Sequence, residues 1–408
     1  MQCGLLGRKL GHSYSPQIHA MLGNYAYHLF EQEPEELETF LKNGDFRAIN
    51  VTIPYKKDVI PYLDELTPTA RKMGAVNTIV RREDGSLLGH NTDYYGFSSL
   101  LKRSGMDVAG KKVLVLGSGG ASQTVCAVLK ERNACVAVIS RSGENNYDNL
   151  SRHEDAALIV NTTPVGMYPN TGISPVDLRL FPKLKCVLDV VYNPARTQLL
   201  LDAESRGIPC ENGLWMLVAQ AKEAAEYFTG SSISDECISK IHSKLRSQME
   251  NIVLIGMPGC GKSTIGQILA EKTGKQLLDA DAEIVKAAGK PIPEIFAESG
   301  EPGFRAIETK VLAELGKKSG CIIATGGGCV TRIGNLPSLY QNGSLFWIKR
   351  DVALLPRDGR PLSVSNDLQK MYEVRKPMYE AFADYTIEND GSPEETASKI
   401  ISMWEDRR

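Results

Sequence analysis

Val113-Leu114-Val115-Leu116-Gly117-Ser118-Gly119-Gly120-Ala121 joins a short apolar run to a glycine turn that opens a helical pattern. Farther along, Ile252-Val253-Leu254-Ile255 leads the same way into Gly256-Met257-Pro258-Gly259-Cys260-Gly261-Lys262-Ser263-Thr264. Strand, glycine turn and helix start together aim backbone N–H groups and a helix N-terminus at phosphate. The two turns suit different ligands. Gly117–Ala121 lets the backbone approach a pyrophosphate, as a dinucleotide requires. Gly256–Ser263 fits GxxxxGK[ST] at every fixed position, the cradle of a nucleoside triphosphate with magnesium. Two such loops in 408 residues predict two nucleotide-dependent sites in one polypeptide.

Working outward, further short apolar runs alternate with helical patterns: Cys135–Ile139, Leu158–Val160, Val187–Val191, Cys321–Ala324 and Leu345–Ile348. That alternation predicts α/β architecture with parallel sheets. Ile233, Cys237, Ile241 and Leu245 recur four apart and predict a helix over 233–246, capped by Ser232 with Asp235. A domain boundary follows near residue 248, with Ser247–Glu250 as a linker of roughly 14 Å when extended.

The bulk numbers exclude several classes. A net charge of −2 offers no bulk attraction to nucleic acid or acidic lipid. Nine cysteines without paired or zinc-type spacing point to a reducing compartment. Neither a signal-peptide pattern nor an apolar run long enough for a membrane span is present. The expectation is a cytoplasmic enzyme acting on small molecules, with neither nucleic acid nor membrane as a partner.

After the first glycine turn, the run Cys135–Ile139 ends in Ser140-Arg141-Ser142. An arginine in that place suits the 2′-phosphate of NADP, where an acid would suit NAD. Upstream stand Gly11-His12-Ser13-Tyr14-Ser15-Pro16, Asn50-Val51-Thr52-Ile53-Pro54-Tyr55-Lys56, Gly74-Ala75-Val76-Asn77-Thr78 and Asn91-Thr92-Asp93-Tyr94-Tyr95-Gly96. Downstream stand Asn161-Thr162-Thr163-Pro164, Asp189-Val190-Val191-Tyr192-Asn193-Pro194 and Gly213-Leu214-Trp215-Met216-Leu217-Val218-Ala219-Gln220-Ala221. Seven motifs in this order resemble shikimate dehydrogenase across residues 1–246.

The resemblance implies roles. Lys56 and Asp93 match the family's catalytic pair. Ser13, Ser15, Thr52, Asn77, Tyr192 and Gln220 match substrate-binding positions. Gly117 to Ala121, Ser140, Arg141 and Gly213 match cofactor-binding ones. Reducing a ring ketone needs hydride on carbon and a proton on oxygen; Lys56 would supply the proton while Asp93 holds the ammonium and a substrate hydroxyl. His12 and His19 read as structural. Asn145 stands where the family often has a second basic residue, which relaxes the preference for NADP. A substrate domain is expected from 1–100 plus 213–246, and a Rossmann NADP domain from 101–212.

In the second half, Asp279-Ala280-Asp281, Gly300-Glu301-Pro302-Gly303-Phe304-Arg305-Ala306-Ile307-Glu308, Gly326-Gly327-Gly328, Arg360-Pro361-Leu362 and Arg375-Lys376-Pro377-Met378-Tyr379 follow the phosphate loop. This order resembles shikimate kinase, and implies a P-loop kinase domain with a parallel sheet over 250–408. By that match Gly256, Gly259, Cys260, Gly261, Lys262, Ser263 and Thr264 hold ATP, and Ser263 with Asp279 holds Mg2+. Asp281 takes the proton of the ring hydroxyl. Arg305 and Arg375 grip the substrate carboxylate as bidentate forks, beside Gly327 and Gly328. Arg360 stabilises the transferring phosphoryl from a lid. The stretch from Trp347 to Arg360 is short for the family, and only Arg357 offers itself for the adenine-facing lid arginine.

The two halves thus imply consecutive reactions on one carboxylated, hydroxylated ring: 3-dehydroshikimate with NADPH to shikimate, then shikimate with ATP to shikimate 3-phosphate. The alternative is a quinate/shikimate dehydrogenase fused to an impaired or regulatory ATP-binding module.

Overall fold

β-branched and leucine-rich runs build three sheets, and the turns that follow them carry the motifs. A computed structural model describes residues 2–11, 13–355 and 367–405. His12, Arg357 and Arg360 lie outside the described residues. The chain divides into two compact units. One comprises Met1–Val165, Ser174–Tyr192 and Asp202–Lys244; the other comprises Gly166–Ile173, Asn193–Leu201 and Leu245–Arg408.

The first unit holds two sheets. β1 (Gln2–Gly7), β2 (Ala26–Glu31), β3 (Ala48–Val51), β4 (Glu65–Leu66), β5 (Thr78–Arg81) and β6 (Leu87–His90) run in the order β2-β1-β3-β5-β6-β4. β1 pairs parallel with β2 and β3, but β5 runs antiparallel to both β3 and β6. This sheet is therefore mixed, whereas the apolar runs named from the sequence all lie in the other two sheets, which are parallel. Residues Arg82 to Ser86 are too few for a crossover helix, so β5 and β6 form a hairpin. Its turn is pinned by Asp84 Oδ1, which accepts from both the N–H and the hydroxyl of Ser86.

The second sheet is entirely parallel: β7 (Lys112–Leu116), β8 (Cys135–Ile139), β9 (Leu158–Asn161), β10 (Cys186–Asp189) and β11 (Cys210–Glu211), in the order β11-β10-β9-β7-β8. Val113, Val115, Leu158, Val160 and Leu188 bury one face against Val125, Val128 and Leu129 of helix Gly120–Glu131. β10 stops at Asp189, short of the predicted Val191. The Asp189 carboxylate turns the chain by accepting from Val191 N–H and Asn161 Nδ2. From β7 the chain goes to β8 on one side and then crosses to β9 on the other. This topological switch opens a crevice at the carboxyl ends of β7 and β9.

Helix Leu214–Thr229 packs on helix Asp93–Arg103. The approach depends on Gly96, where an added Cβ would lie 2.8 Å from Met216 O and 3.0 Å from Gln220 Cβ. The next helix, Glu236–Met249, starts later than the sequence predicts. Its first N–H donates to Ser234 Oγ rather than Ser232, because Asp235 is drawn to Lys222 and Tyr95. It also runs on to Met249, leaving only Glu250 before the next strand, since Leu245 and Met249 continue its buried face.

The second unit is built on β12 (Asn251–Ile255), β13 (Gln276–Asp279), β14 (Cys321–Ala324), β15 (Gly343–Lys349) and β16 (Tyr385–Glu388). All pair parallel in the order β13-β14-β12-β15-β16. Fully buried Ile252, Leu254, Ile322, Phe346 and Ile348 form its centre. Within this unit Arg196 stacks over the Tyr340 ring at 4.3 Å and donates to Tyr340 O and Gly343 O.

No helix among the described residues is long and apolar enough to cross a membrane. All nine cysteines are free. Cys3, Cys186, Cys260, Cys321 and Cys329 are buried, and Cys135 is exposed where β8 begins.

Candidate functional site

Two groups of predicted residues assemble, one in each unit. In the first, the turn after β3 carries Lys56, whose Nζ lies 2.6 Å from Asp93 Oδ2. Both side chains are partly exposed. The turn is held by Val76 N–H donating to Lys56 O, and by Thr52 N–H donating to Leu6 O. Asp93 opens helix Asp93–Arg103, where the N-terminal dipole favours a carboxylate. Asn91 Oδ1 accepts its N–H, and Asn91 Nδ2 reaches Ala75 O.

Asn77 and Gln220 come together through Thr92, to which each is hydrogen-bonded. Ser13 Oγ accepts Ser15 N–H at the start of helix Ser15–Leu22. Tyr14, between those serines, meets the Tyr192 ring edge-on at 6.1 Å, so Tyr192 and the serine segment are neighbours. Burial pushes the Tyr192 phenol above its usual value, keeping it a neutral donor. Gly213 is of another kind: a Cβ there would lie 2.0 Å from Val190 O, so the site needs glycine for close backbone approach.

At the β7–β9 crevice, Gly117 has φ +101° and a Cβ would sit 2.9 Å from Thr163 Cγ2. Only glycine fills that turn without strain. Gly119 caps helix Gly120–Glu131, and Ser118, Gly119 and Gly120 are exposed beside it, with Ala121 in its first turn. Gly117 N–H donates to Ile139 O, which sets the end of β8 and the exposed Arg141 beside the glycine turn. Ser140 N–H donates to Asn145 O, and Asn145 Oδ1 lies 3.1 Å from His153 Nε2. These residues fit a phosphorylated dinucleotide, with the arginine free to meet an anion.

In the second unit, a cavity of about 650 Å3 opens above the carboxyl ends of the sheet. Gly259, Gly261, Lys262, Ser263 and Thr264 form one wall, and Asp279, Asp281, Arg305, Gly327, Gly328 and Arg375 form the others. Lys262 Nζ donates to Gly256 O at 2.9 Å and Met257 O at 3.0 Å. Ser263 Oγ donates to Asp279 Oδ2 at 2.7 Å, while Asp279 Oδ1 caps helix Ala280–Ala288. A hydroxyl beside a carboxylate is a pair of oxygen ligands of the type that a hard cation such as magnesium takes. No cluster of three or more His, Cys, Asp or Glu among the described residues could hold a metal by itself.

The arginines are fixed by their own neighbours. Gly300 has φ +64°, which breaks helix Ile292–Lys317, and Pro302 restarts it. The restarted segment brings Arg305 and Glu308 onto one face, with Arg305 Nη1 2.7 Å from Glu308 Oε2. Arg305 Nη2 lies so near Gly328 that a Cβ there would sit 2.0 Å away. Gly327 packs against Pro258, and its carbonyl accepts from Arg375 Nη1 and the Tyr379 hydroxyl. Cys260 is fully buried, and Asn389 Nδ2 holds its carbonyl. Burial pushes the neighbouring Cys329 thiol up to about 12, so it is an inert hydrophobe.

Sequence reasoning gave no role to Thr92, Glu308, Tyr379 or Arg350. Glu308 was within reach, since a glutamate three residues after a buried arginine is its natural partner on a helix. Arg350 lines the cavity from the end of β15 with no motif to flag it.

A two-sheet unit with a dinucleotide crevice and a unit with a P-loop define the class: a dehydrogenase-like part and a P-loop-kinase-like part in one chain. Residues 5–79 match the family model of the shikimate dehydrogenase substrate binding domain, and residues 258–405 match that of shikimate kinase. The shikimate dehydrogenase (NADP(+)) of Clostridium perfringens strain SM101 is 38% identical over 266 residues, spanning 60% of this chain and 97% of that protein. The crystal structure of a chorismate mutase/shikimate 5-dehydrogenase fusion protein from Clostridium acetobutylicum is 38% identical, with a TM-score of 0.57 over 60% of this chain and 96% of that one. Shikimate 5-dehydrogenase from Thermus thermophilus, solved with NADP(H) and shikimate, is 31% identical at TM-score 0.54 over 60% and 99%. The chain belongs to the shikimate dehydrogenase family, and its carboxyl-terminal part resembles shikimate kinase.

Proposed function

We propose that the protein reduces 3-dehydroshikimate to shikimate with NADPH and then phosphorylates shikimate with MgATP to shikimate 3-phosphate. The observation that carries the first step is the 2.6 Å contact of Lys56 Nζ with Asp93 Oδ2. The cofactor supplies hydride. Lys56 gives its proton to the oxygen that becomes the hydroxyl, and Asp93 keeps the ammonium aimed and takes a hydrogen bond from the ring. Ser13, Ser15, Thr52, Asn77, Tyr192 and Gln220 hold the ring's carboxylate and hydroxyls. Gly117 to Ala121, Ser140, Arg141 and Gly213 hold NADP. The substrate domain is 1–100 with 213–246, the NADP domain 101–212, and the kinase domain 250–408.

In the kinase step the chain positions and neutralises charge. Lys262 leaves its loop carbonyls for the β and γ phosphates. Ser263 and Asp279 hold magnesium, and Asp281 receives the proton of the attacking hydroxyl. Arg305 and Arg375 take the carboxylate, and Arg360, outside the described residues, is the remaining positive charge assigned to the phosphoryl group. A cytoplasmic setting supplies both nucleotides.

One coupled assay tests the reading: purified protein with 3-dehydroshikimate, NADPH and MgATP, followed by mass detection. Shikimate 3-phosphate is expected, in proportion to NADPH consumed. Accumulation of shikimate alone overturns the kinase assignment, and absence of NADPH oxidation overturns the dehydrogenase one.

A further inference from the structure

We propose that Thr92 is a positioning residue, and that its single hydroxyl sets the orientation of both amides in the dehydrogenase pocket. This rests on the dehydrogenase reading above. Backbone groups fix the polarity of the circuit. Thr92 N–H can only donate, so the Asn77 atom 2.7 Å away is Oδ1. Asn77 Nδ2 is then the atom 3.0 Å from Thr92 Oγ1, and an amide nitrogen only donates, so the hydroxyl oxygen accepts there.

The hydroxyl hydrogen has two candidate acceptors. Asn77 Oδ1, at 3.3 Å, already accepts from Thr92 N–H and from Thr78 Oγ1. Gln220 Oε1, at 3.2 Å, has no such competition in the circuit. The far end of Gln220 is fixed too, since its Nε2 donates to Leu217 O, which only accepts. The hydroxyl hydrogen therefore goes to Gln220.

The consequence is chemical. Asn77 Oδ1 is saturated, and each amide keeps one uncommitted N–H. A ring oxygen that meets Asn77 does so as an acceptor, and Gln220 offers the ring one N–H and one remaining acceptor place on Oε1. Thr92 is fully buried and Asn77 is 3% exposed, so water cannot replace a lost partner cheaply. Asn77 immediately precedes β5, Thr92 caps helix Asp93–Arg103 and Gln220 lies in helix Leu214–Thr229, the two helices meeting at the close contact of Gly96. The hydroxyl is thus the only bridge in this circuit between the hairpin sheet and the returning helix.

The test uses the full chain and compares Thr92→Val, which keeps the shape, with Thr92→Ser, which keeps the hydroxyl. Wild-type turnover of 3-dehydroshikimate with NADPH is the control; its absence defeats the dehydrogenase reading rather than this one. The expected result for Thr92→Val is a KM for the ring substrate raised at least tenfold, with the KM for NADPH within twofold. Thr92→Ser should stay within threefold of wild type on both. Equal losses in the Val and Ser variants, a Val variant within threefold, or equal rises in both KM values overturn the proposal. If Thr92→Val does not fold, Thr92→Ala must show the same split, and failure to do so also overturns it.

Discussion

Arg305 Nη1 and Glu308 Oε2 are 2.7 Å apart, with the glutamate side chain fully sealed from solvent and the arginine nearly so. Glu301 Oε1 adds a second anion at 3.0 Å. The guanidinium is therefore held in place before any substrate carboxylate arrives, which is what a bidentate grip needs. Glu308→Gln keeps the shape and removes the charge. It should raise the kinase KM for shikimate by about 5- to 100-fold, in line with about 1–3 kcal/mol for a disturbed buried partner. Steady-state kinetics at saturating ATP measure it, and an unchanged KM means Arg305 is not a substrate ligand.

Lys56→Ala removes the proposed proton source and the partner of Asp93. NADPH oxidation should fall by about 10²- to 10⁴-fold, the usual range for a lost general acid. Kinase activity of the same variant should stay near wild type. Lys262→Ala should give the mirror image, and a joint loss in either variant would show that the two activities are not separable.

Arg141 is exposed beside the glycine turn. Arg141→Ala should raise the KM for NADPH by about 10- to 100-fold, as expected for about 1.5–3 kcal/mol in a charged hydrogen bond. The KM for NADH should move less than threefold. Parallel changes would remove the 2′-phosphate from the account.

His19 stacks between Tyr27 and Phe228. Burial lowers its pKa from 6.5 to about 3. A depressed folded pKa means the associated stability is complete above about pH 6.5 and drains away as pH falls towards 3. The slope is at most about 1.4 kcal/mol per pH unit. His19→Phe preserves the stack without a titrating group. Between about pH 7 and pH 5, thermal inactivation of the dehydrogenase should advance more in wild type than in the variant. Identical shifts would show that the ring is not buried neutral.

Much of this was legible beforehand, for reasons that differ by element. The strands before both glycine turns show themselves because a central parallel strand is apolar on both faces. Val113–Leu116 and Ile252–Ile255 follow that rule closely. β5 and β6 lay outside its reach, since a mixed sheet depends on what the intervening residues can span, and apolar runs carry no direction. Lys56 and Asp93 were named from motifs, yet only the fold places their charges in contact. Thr92 was in plain view within the Asn-Thr-Asp motif. Its role lies in hydrogen-bond polarity across 128 residues of sequence, which no local pattern encodes. Glu308 shows the opposite case, a partner one helical turn away that local spacing could have supplied.

The thiol at Cys135 offers a practical handle. It opens β8, whereas the glycine turn borders the other end of that strand, roughly 13 Å away at about 3.3 Å per residue. With Cys3, Cys186, Cys260, Cys321 and Cys329 shielded, a maleimide dye at limiting dose should settle first on this surface position. The resulting fluorophore would report on the protein from outside its chemistry, without any cysteine having to be engineered away.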